Sequence, residues 1–186
     1  MIANYHTHTH RCGHALGEDR QYVEAAIEGG LKILGFADHA PFAFEDGFVS
    51  RMRMKPSEID GYFYSLTSLR EEYKNDIKIY IGFESEYIPE LMHAQDELLR
   101  DYPLDYMIMG EHFRLPEYKG RHYNAFELDR AELKNYVDVV IEGMKSGRYK
   151  YLAHPDMPRV SDKGEWYREE YTRLCKFMKE TTFRSK

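Results

Sequence analysis

Residues 77–86 read IKIYIGFESE. Ile77, Ile79, Ile81 and Phe83 alternate with Lys78, Tyr80 and Gly82, the period-two pattern of a strand with two different faces. By that parity Glu84 projects on the face opposite Phe83, and Gly82 leaves room beside it. A carboxylate there can bridge two cations, which a neutral imidazole cannot. Glu86 shares the face and competes for the role, but reads as exposed charge at the strand end. Pro89 follows at once and suits the first turn of a helix.

The same unit recurs on either side. Short apolar runs at 2–6, 33–38, 77–84, 106–110 and 149–153 read as strands. Amphipathic runs at 20–28, 56–73, 89–100, 130–145 and 165–179 read as helices, with Pro56 at a helix start and Gly29-Gly30 at a helix end. This alternation predicts α/β architecture with parallel strands, helices outside, and chemistry where strands end and loops begin. The polar residues obey that rule. His6 and His8 close the first run, Asp38-His39 the second, Glu84 the third, His112 the fourth and His154 the fifth. Five strand ends out of five offer a metal ligand, a stronger signal than any one motif.

The 186 residues suffice for one domain spanning 1–186. A net charge of -6 without a basic block disfavours a nucleic-acid surface. No apolar run approaches a membrane span, and the first residues lack a secretory layout, so the expected location is the cytoplasm. Two cysteines, Cys12 and Cys175, argue against a disulfide framework.

His6-x-His8 places two rings on one strand face, where they can share one ion. His14, in a loop with Gly13 and Gly17, can fold back over the strand end, although alone it reads as a surface histidine. Asp38-His39 supplies a ligand, His39, and a carboxylate to orient it, Asp38. Pro155 favours an extended backbone at His154. His93 and His122 read as ordinary polar histidines, His10 as a remote candidate, and Cys12 as a small loop hydrophobe. The 16 tyrosines read as packing and pocket wall.

HTHTHRCGHA, FADHAPF, GFESEYIP, DYMIMGEHF and LAHPD, in that order, resemble the motifs of the PHP (polymerase and histidinol phosphatase) metallohydrolases. RMRMKPSEIDGYFYSLTSLREEY resembles the linking segment of the histidinol-phosphatase branch. The resemblance implies a distorted (β/α)7 barrel with up to three divalent ions, zinc, iron or manganese. His6, His8 and Glu84 would hold the first, Glu84 would bridge to a second held by His112 and His154, and His14 and His39 would hold a third. The crowded histidines would then be neutral ligands, their repulsion removed by cations. The family's last motif, an Asp-x-His completing the first and third sites, has no counterpart after residue 154. The expectation is an incomplete barrel lacking its last strands. Its open sheet edge would invite a homo-oligomer.

The resemblance also implies a small phosphorylated substrate: hydrolysis of L-histidinol phosphate to histidinol and phosphate, with hydroxide made from metal-bound water. Asp156 would assist the leaving group and Arg159 would clamp the phosphate, with Arg11 and Arg53 as weaker candidates. Phe42, Phe44 and Phe113 would wall the imidazole. Three rivals stay open: a catalytically impaired PHP remnant that binds metal or a partner, a PHP nuclease, and an amidohydrolase-type barrel.

Overall fold

The computed structural model describes residues 1–44 and 47–182. They form two compact units, one of residues 1–85 with 89–108, the other of residues 86–88 with those from 109 onward.

The first unit is built on strands β1 (Ala3–Thr7), β2 (Ile33–His39), β3 (Lys78–Ser85) and β4 (Tyr106–Met109, whose last residue belongs to the second unit), in the order β1-β2-β3-β4. β1 pairs with β2, and β2 with β3, in parallel. Helices α1 (Asp19–Glu28), α2 (Ile59–Glu72) and α3 (Pro89–Leu99) alternate with the strands, as the sequence pattern predicts. Pro56 opens a 3-10 turn, Pro56–Glu58, and α2 proper starts at Ile59. Gly29 and Gly30 end α1, and Gly30 takes a left-handed φ of 77°, where a side chain would be strained. Phe83 faces α2, stacking on Tyr62 at 5.1 Å and meeting Phe63 edge-on at 5.9 Å. The opposite face of β3 is therefore the one that carries Glu84.

The room predicted beside Gly82 is filled by the Tyr106 ring. A Cβ on Gly82 would meet Tyr106 Cε1 at 2.6 Å, and one on Gly35 would collide with the Tyr106 hydroxyl. That hydroxyl lies 2.8 Å from the Tyr5 carbonyl and 2.9 Å from that of Phe36, sharing its one proton between them. β1 carries a bulge between Asn4 and Thr7, where its register against β2 shifts. Bulges re-aim side chains, and this one lies beneath His6 and His8.

The second unit contains α4 (Arg130–Lys145) and α5 (Glu165–Thr182). A capping box starts α4: the Asp129 carboxylate accepts the Glu132 N–H at 2.9 Å, and the Glu132 carboxylate accepts that of Asp129 at 2.9 Å. Arg173 ties α5 to α4 through Asp138 at 2.7 Å. The expected strand at 149–153 is reduced to one parallel bridge, Leu152 to Met109, made by two backbone hydrogen bonds of 3.0 and 2.8 Å. Among the described residues, no helix is long and apolar enough to cross a membrane.

Candidate metal centre

In the first unit the ends of β1, β2 and β3 bring their polar residues together. Glu84 and His39 are direct register partners, the last pair of the β2–β3 ladder. Glu84 is 1% exposed. Its Oε2 lies 3.1 Å from His6 Nε2, 3.3 Å from His8 Nε2 and 3.2 Å from His39 Nδ1. His6 Nε2 and His8 Nε2 are themselves 3.0 Å apart. The His14 ring stands 4.8 Å from that of His39 and 6.2 Å from that of His8, so the glycine-flanked loop does fold back.

Three imidazole nitrogens around one buried carboxylate oxygen form a donor set for a cation. Three protonated rings so close would repel, and rings that turn lone pairs inward need a positive centre between them. Ligand atoms of His8, His39 and Glu84 lie within 4.8 Å of one another, as do those of His8, Cys12 and His14. Nitrogen and carboxylate donors in this mixture suit zinc, iron or manganese.

The surrounding groups hold these ligands in place. Asp38, fully buried, accepts the Thr9 N–H and the Thr9 hydroxyl, each at 2.5 Å, and its Oδ1 is 3.8 Å from His8 Nδ1. Asp38 thus supports Thr9 and stands near His8, where the sequence reading paired it with His39. Cys12 is fully buried with Sγ 3.5 Å from His8 Nδ1, and its thiol donates to the Thr9 carbonyl at 3.3 Å. Burial, with the Asp38 charge adding to it, pushes that thiol up to about 12. Arg11 is committed to Asp19, bidentate at 2.7 and 2.8 Å. His10 and His93 are exposed.

The second unit holds His112 and His154, with ring centroids 5.2 Å apart. Glu86 is 1% exposed, with Oε1 2.8 Å from His112 Nδ1. The exposed charge expected there is instead a buried carboxylate orienting a histidine. Its shared face with Glu84 was legible in the sequence, but its partner His112 lies 26 positions away. His122, read as ordinary, has its ring 5.5 Å from that of His112, tilted by 45°. Burial first, and then the neighbouring His112, depress its basicity. Glu111 is buried as well, its Oε2 accepting the Tyr87 N–H at 2.8 Å, and burial raises its carboxyl well above the usual carboxylate range.

His154 departs from expectation. Its φ is 29°, in the left-handed region, and a turn closes from Met157 N–H to its carbonyl at 3.1 Å. The proline behind it was expected to extend the backbone; the turn overrides that preference at a cost of about 1–2 kcal/mol. Asp156 is exposed, and Arg159, 65% exposed, pairs with Glu127 at 3.5 Å. Phe42, Phe44 and Phe48 line a cavity of about 300 Å³ in the first unit, with the Arg53 guanidinium 4.6 Å from the Phe42 ring. Phe113 packs edge-on against His122.

A family model described as PHP domain matches residues 4–184. The chain belongs to the PHP domain family. Among its relatives, a Deinococcus radiodurans protein named "Probable histidinol-phosphatase" is 27% identical over 165 residues, covering 85% of this chain and 62% of that protein. A Bacillus subtilis histidinol-phosphatase is 31% identical over 114 residues, 58% of this chain and 42% of that protein. The chain thus spans less than two thirds of the length of these curated relatives. The crystal structure of a Lactococcus lactis histidinol phosphate phosphatase, complexed with zinc, L-histidinol and phosphate, superposes with a TM-score of 0.72 at 21% identity. That match covers 95% of this chain and 69% of the other. A Listeria monocytogenes chain superposes at 0.77 and 20% identity, covering 96% and 79%. The fold is therefore that of a PHP barrel, present here as four sheet strands and one bridge among the described residues, an incomplete barrel.

Proposed function

We propose that this chain is the ligand-bearing part of a metal-dependent phosphomonoester hydrolase whose substrate is L-histidinol phosphate. The observation that carries the reading is Glu84 Oε2 with three imidazole nitrogens at 3.1–3.3 Å at adjoining strand ends. The names of the Deinococcus and Bacillus relatives, and the zinc, L-histidinol and phosphate held by the Lactococcus structure, support the substrate and the metal.

His6, His8, His14, His39, Glu84, His112 and His154 are the proposed ligands, and 1–186 is proposed as a single domain. Divalent cations bound there would supply Lewis acidity for phosphate oxygens and for water. The chain's own residues prepare this. The Glu84 charge favours a cation among rings that must stay neutral to bind it. Asp38 fixes Thr9 beneath His8. The Glu86 carboxylate accepts a hydrogen bond from His112 Nδ1–H, the arrangement that assigns Nε2 the role of metal ligand. Arg159 is proposed to bind the phosphate, exchanging its 3.5 Å contact with Glu127 for the substrate, and Asp156 to assist the leaving oxygen. Phe42 and Phe44 are proposed to face the imidazole. β1, an end strand of the described sheet, is proposed as the edge where a second copy would pair.

Metal analysis of the purified chain, run beside L-histidinol phosphate turnover, tests the reading. The expected result is bound divalent metal and turnover that a chelator removes and added metal restores. Metal without phosphomonoesterase activity would establish the non-catalytic remnant in its place. Release of nucleotides from single-stranded DNA would establish the nuclease.

A further inference from the structure

The segment 114–121 has no part in the metal centre, yet it encloses a charged cavity of its own. The chain runs out from His112 and back to it, with Phe113 bridging His122 and the Tyr123 N–H returning to the His112 carbonyl at 2.9 Å. The outer part of this excursion and the first turns of α4 surround about 220 Å³ lined by Arg114, Lys119, Arg121, Tyr123, Glu132 and Asn135. Three cationic side chains against one carboxylate leave the lining two positive charges in excess. Glu132 is already engaged, its Oε2 accepting the Asp129 N–H. The Arg121 guanidinium is held against the wall, 4.5 Å from the Phe126 ring centroid.

A second observation is independent of the charges. Tyr123 is 3% exposed, and its hydroxyl has no hydrogen-bond partner among the described residues; nor does Asn135 Oδ1. Two buried polar atoms without partners in one lining require a polar guest. The space exceeds the share of one water, about 30 Å³, several times over. Burial raises the Tyr123 phenol and the Glu111 charge adds to the rise, while the Arg114 charge opposes it, so Arg114 lies within electrostatic reach of the hydroxyl.

We propose that this cavity is an oxyanion site separate from the metal ligands, binding the phosphate group of a small ligand through Arg114, Lys119, Arg121 and the Tyr123 hydroxyl. Guanidinium forks match phosphate oxygens in pairs, Lys119 adds a compact point charge, and the hydroxyl supplies the inner donor. The site does not depend on the reaction proposed above. It uses none of the histidines, and it would persist in a chain that hydrolyses nothing.

The test is titration calorimetry of the metal-stripped full chain with inorganic phosphate, since stripping silences phosphate binding by metal ions. Saturable one-to-one binding at about 1 mM or tighter is expected, weakening as salt is added. Arg114→Ala/Arg121→Ala should weaken it by at least about tenfold, the effect of losing charge-assisted hydrogen bonds. Tyr123→Phe keeps the ring on Tyr136 and should weaken binding about threefold. Arg114, Lys119 and Arg121 are exposed, so these truncations leave the core alone, with circular dichroism as the check and Lys119→Ala as the substitute for any variant that fails to fold. A wild-type chain with no saturable phosphate binding, or binding unchanged in the variants, overturns the proposal.

Discussion

The two groups of histidines are built in different ways. In the first unit, His6, His8, His39 and Glu84 stand at the ends of paired strands, and His39 and Glu84 are partners in a continuous ladder. In the second unit, His112 and His154 follow a four-residue strand and a single bridge, and His154 sits in a turn at φ 29°. A continuous ladder aims His39 and Glu84, and a bulge in β1 lies beneath His6 and His8. A buried carboxylate, Glu86, and a strained turn aim the second. Placing a side chain by ladder costs no backbone strain, whereas placing it by such a turn stores some there.

The largest test strikes the point where the first group converges. Glu84→Gln removes the charge that three rings surround, and metal affinity should fall by at least about a hundredfold, read by chelator competition. An unchanged affinity would show that the ladder positions nothing. Glu86→Gln probes the second group and should cost about 10–100-fold in affinity, because His112 keeps its place but loses its orienting acceptor. Gly82→Ala attacks the ladder from below by pushing on Tyr106, and should destabilise the chain by about 1–3 kcal/mol in urea unfolding.

Replacing histidine by glycine separates the two designs by sign. His154→Gly should raise stability by about 1 kcal/mol in metal-free protein, since glycine adopts positive φ freely. His6→Gly, in strand β1, should lower it by about as much. Equal signs would erase the distinction. The smallest effect concerns the support of the first unit at acid pH. Burial alone would raise the Asp19 carboxyl, but hydrogen bonds from Arg11 and Ser65 and the Arg11 charge win and hold it below its ordinary value. Stability from this group is fully present above its unfolded pKa and is lost as pH falls through the lower, folded one. Asp19→Asn should flatten that acid limb of the stability profile.

Much of the first group was legible because strand parity is a simple rule. IKIYIGFESE places Glu84 on the face away from Phe83, and the structure agrees residue by residue. Helix α4 runs over the residues that the amphipathic pattern gave, 130–145, because its periodicity is local. The second group was less legible because its geometry is set by contacts distant in sequence. Glu86 meets His112 across 26 positions, and no local pattern announces that pairing. The backbone of His154 was misjudged because a turn overruled the preference imposed by the following proline. The fifth strand was overestimated because apolar composition cannot say whether a run will pair along its length, and here one bridge forms.

Tyr106 has a consequence that reaches beyond packing. A single phenol from β4 slides under the side-chain-free positions Gly35 of β2 and Gly82 of β3 and reaches carbonyls of β1 and β2. It works as a keyway: only one vertical alignment of β1, β2 and β3 lets the ring seat. Substitutions at position 106 should therefore be felt at the mouth of the sheet, where any slippage would turn imidazoles outward, before they are felt as lost cohesion in the interior.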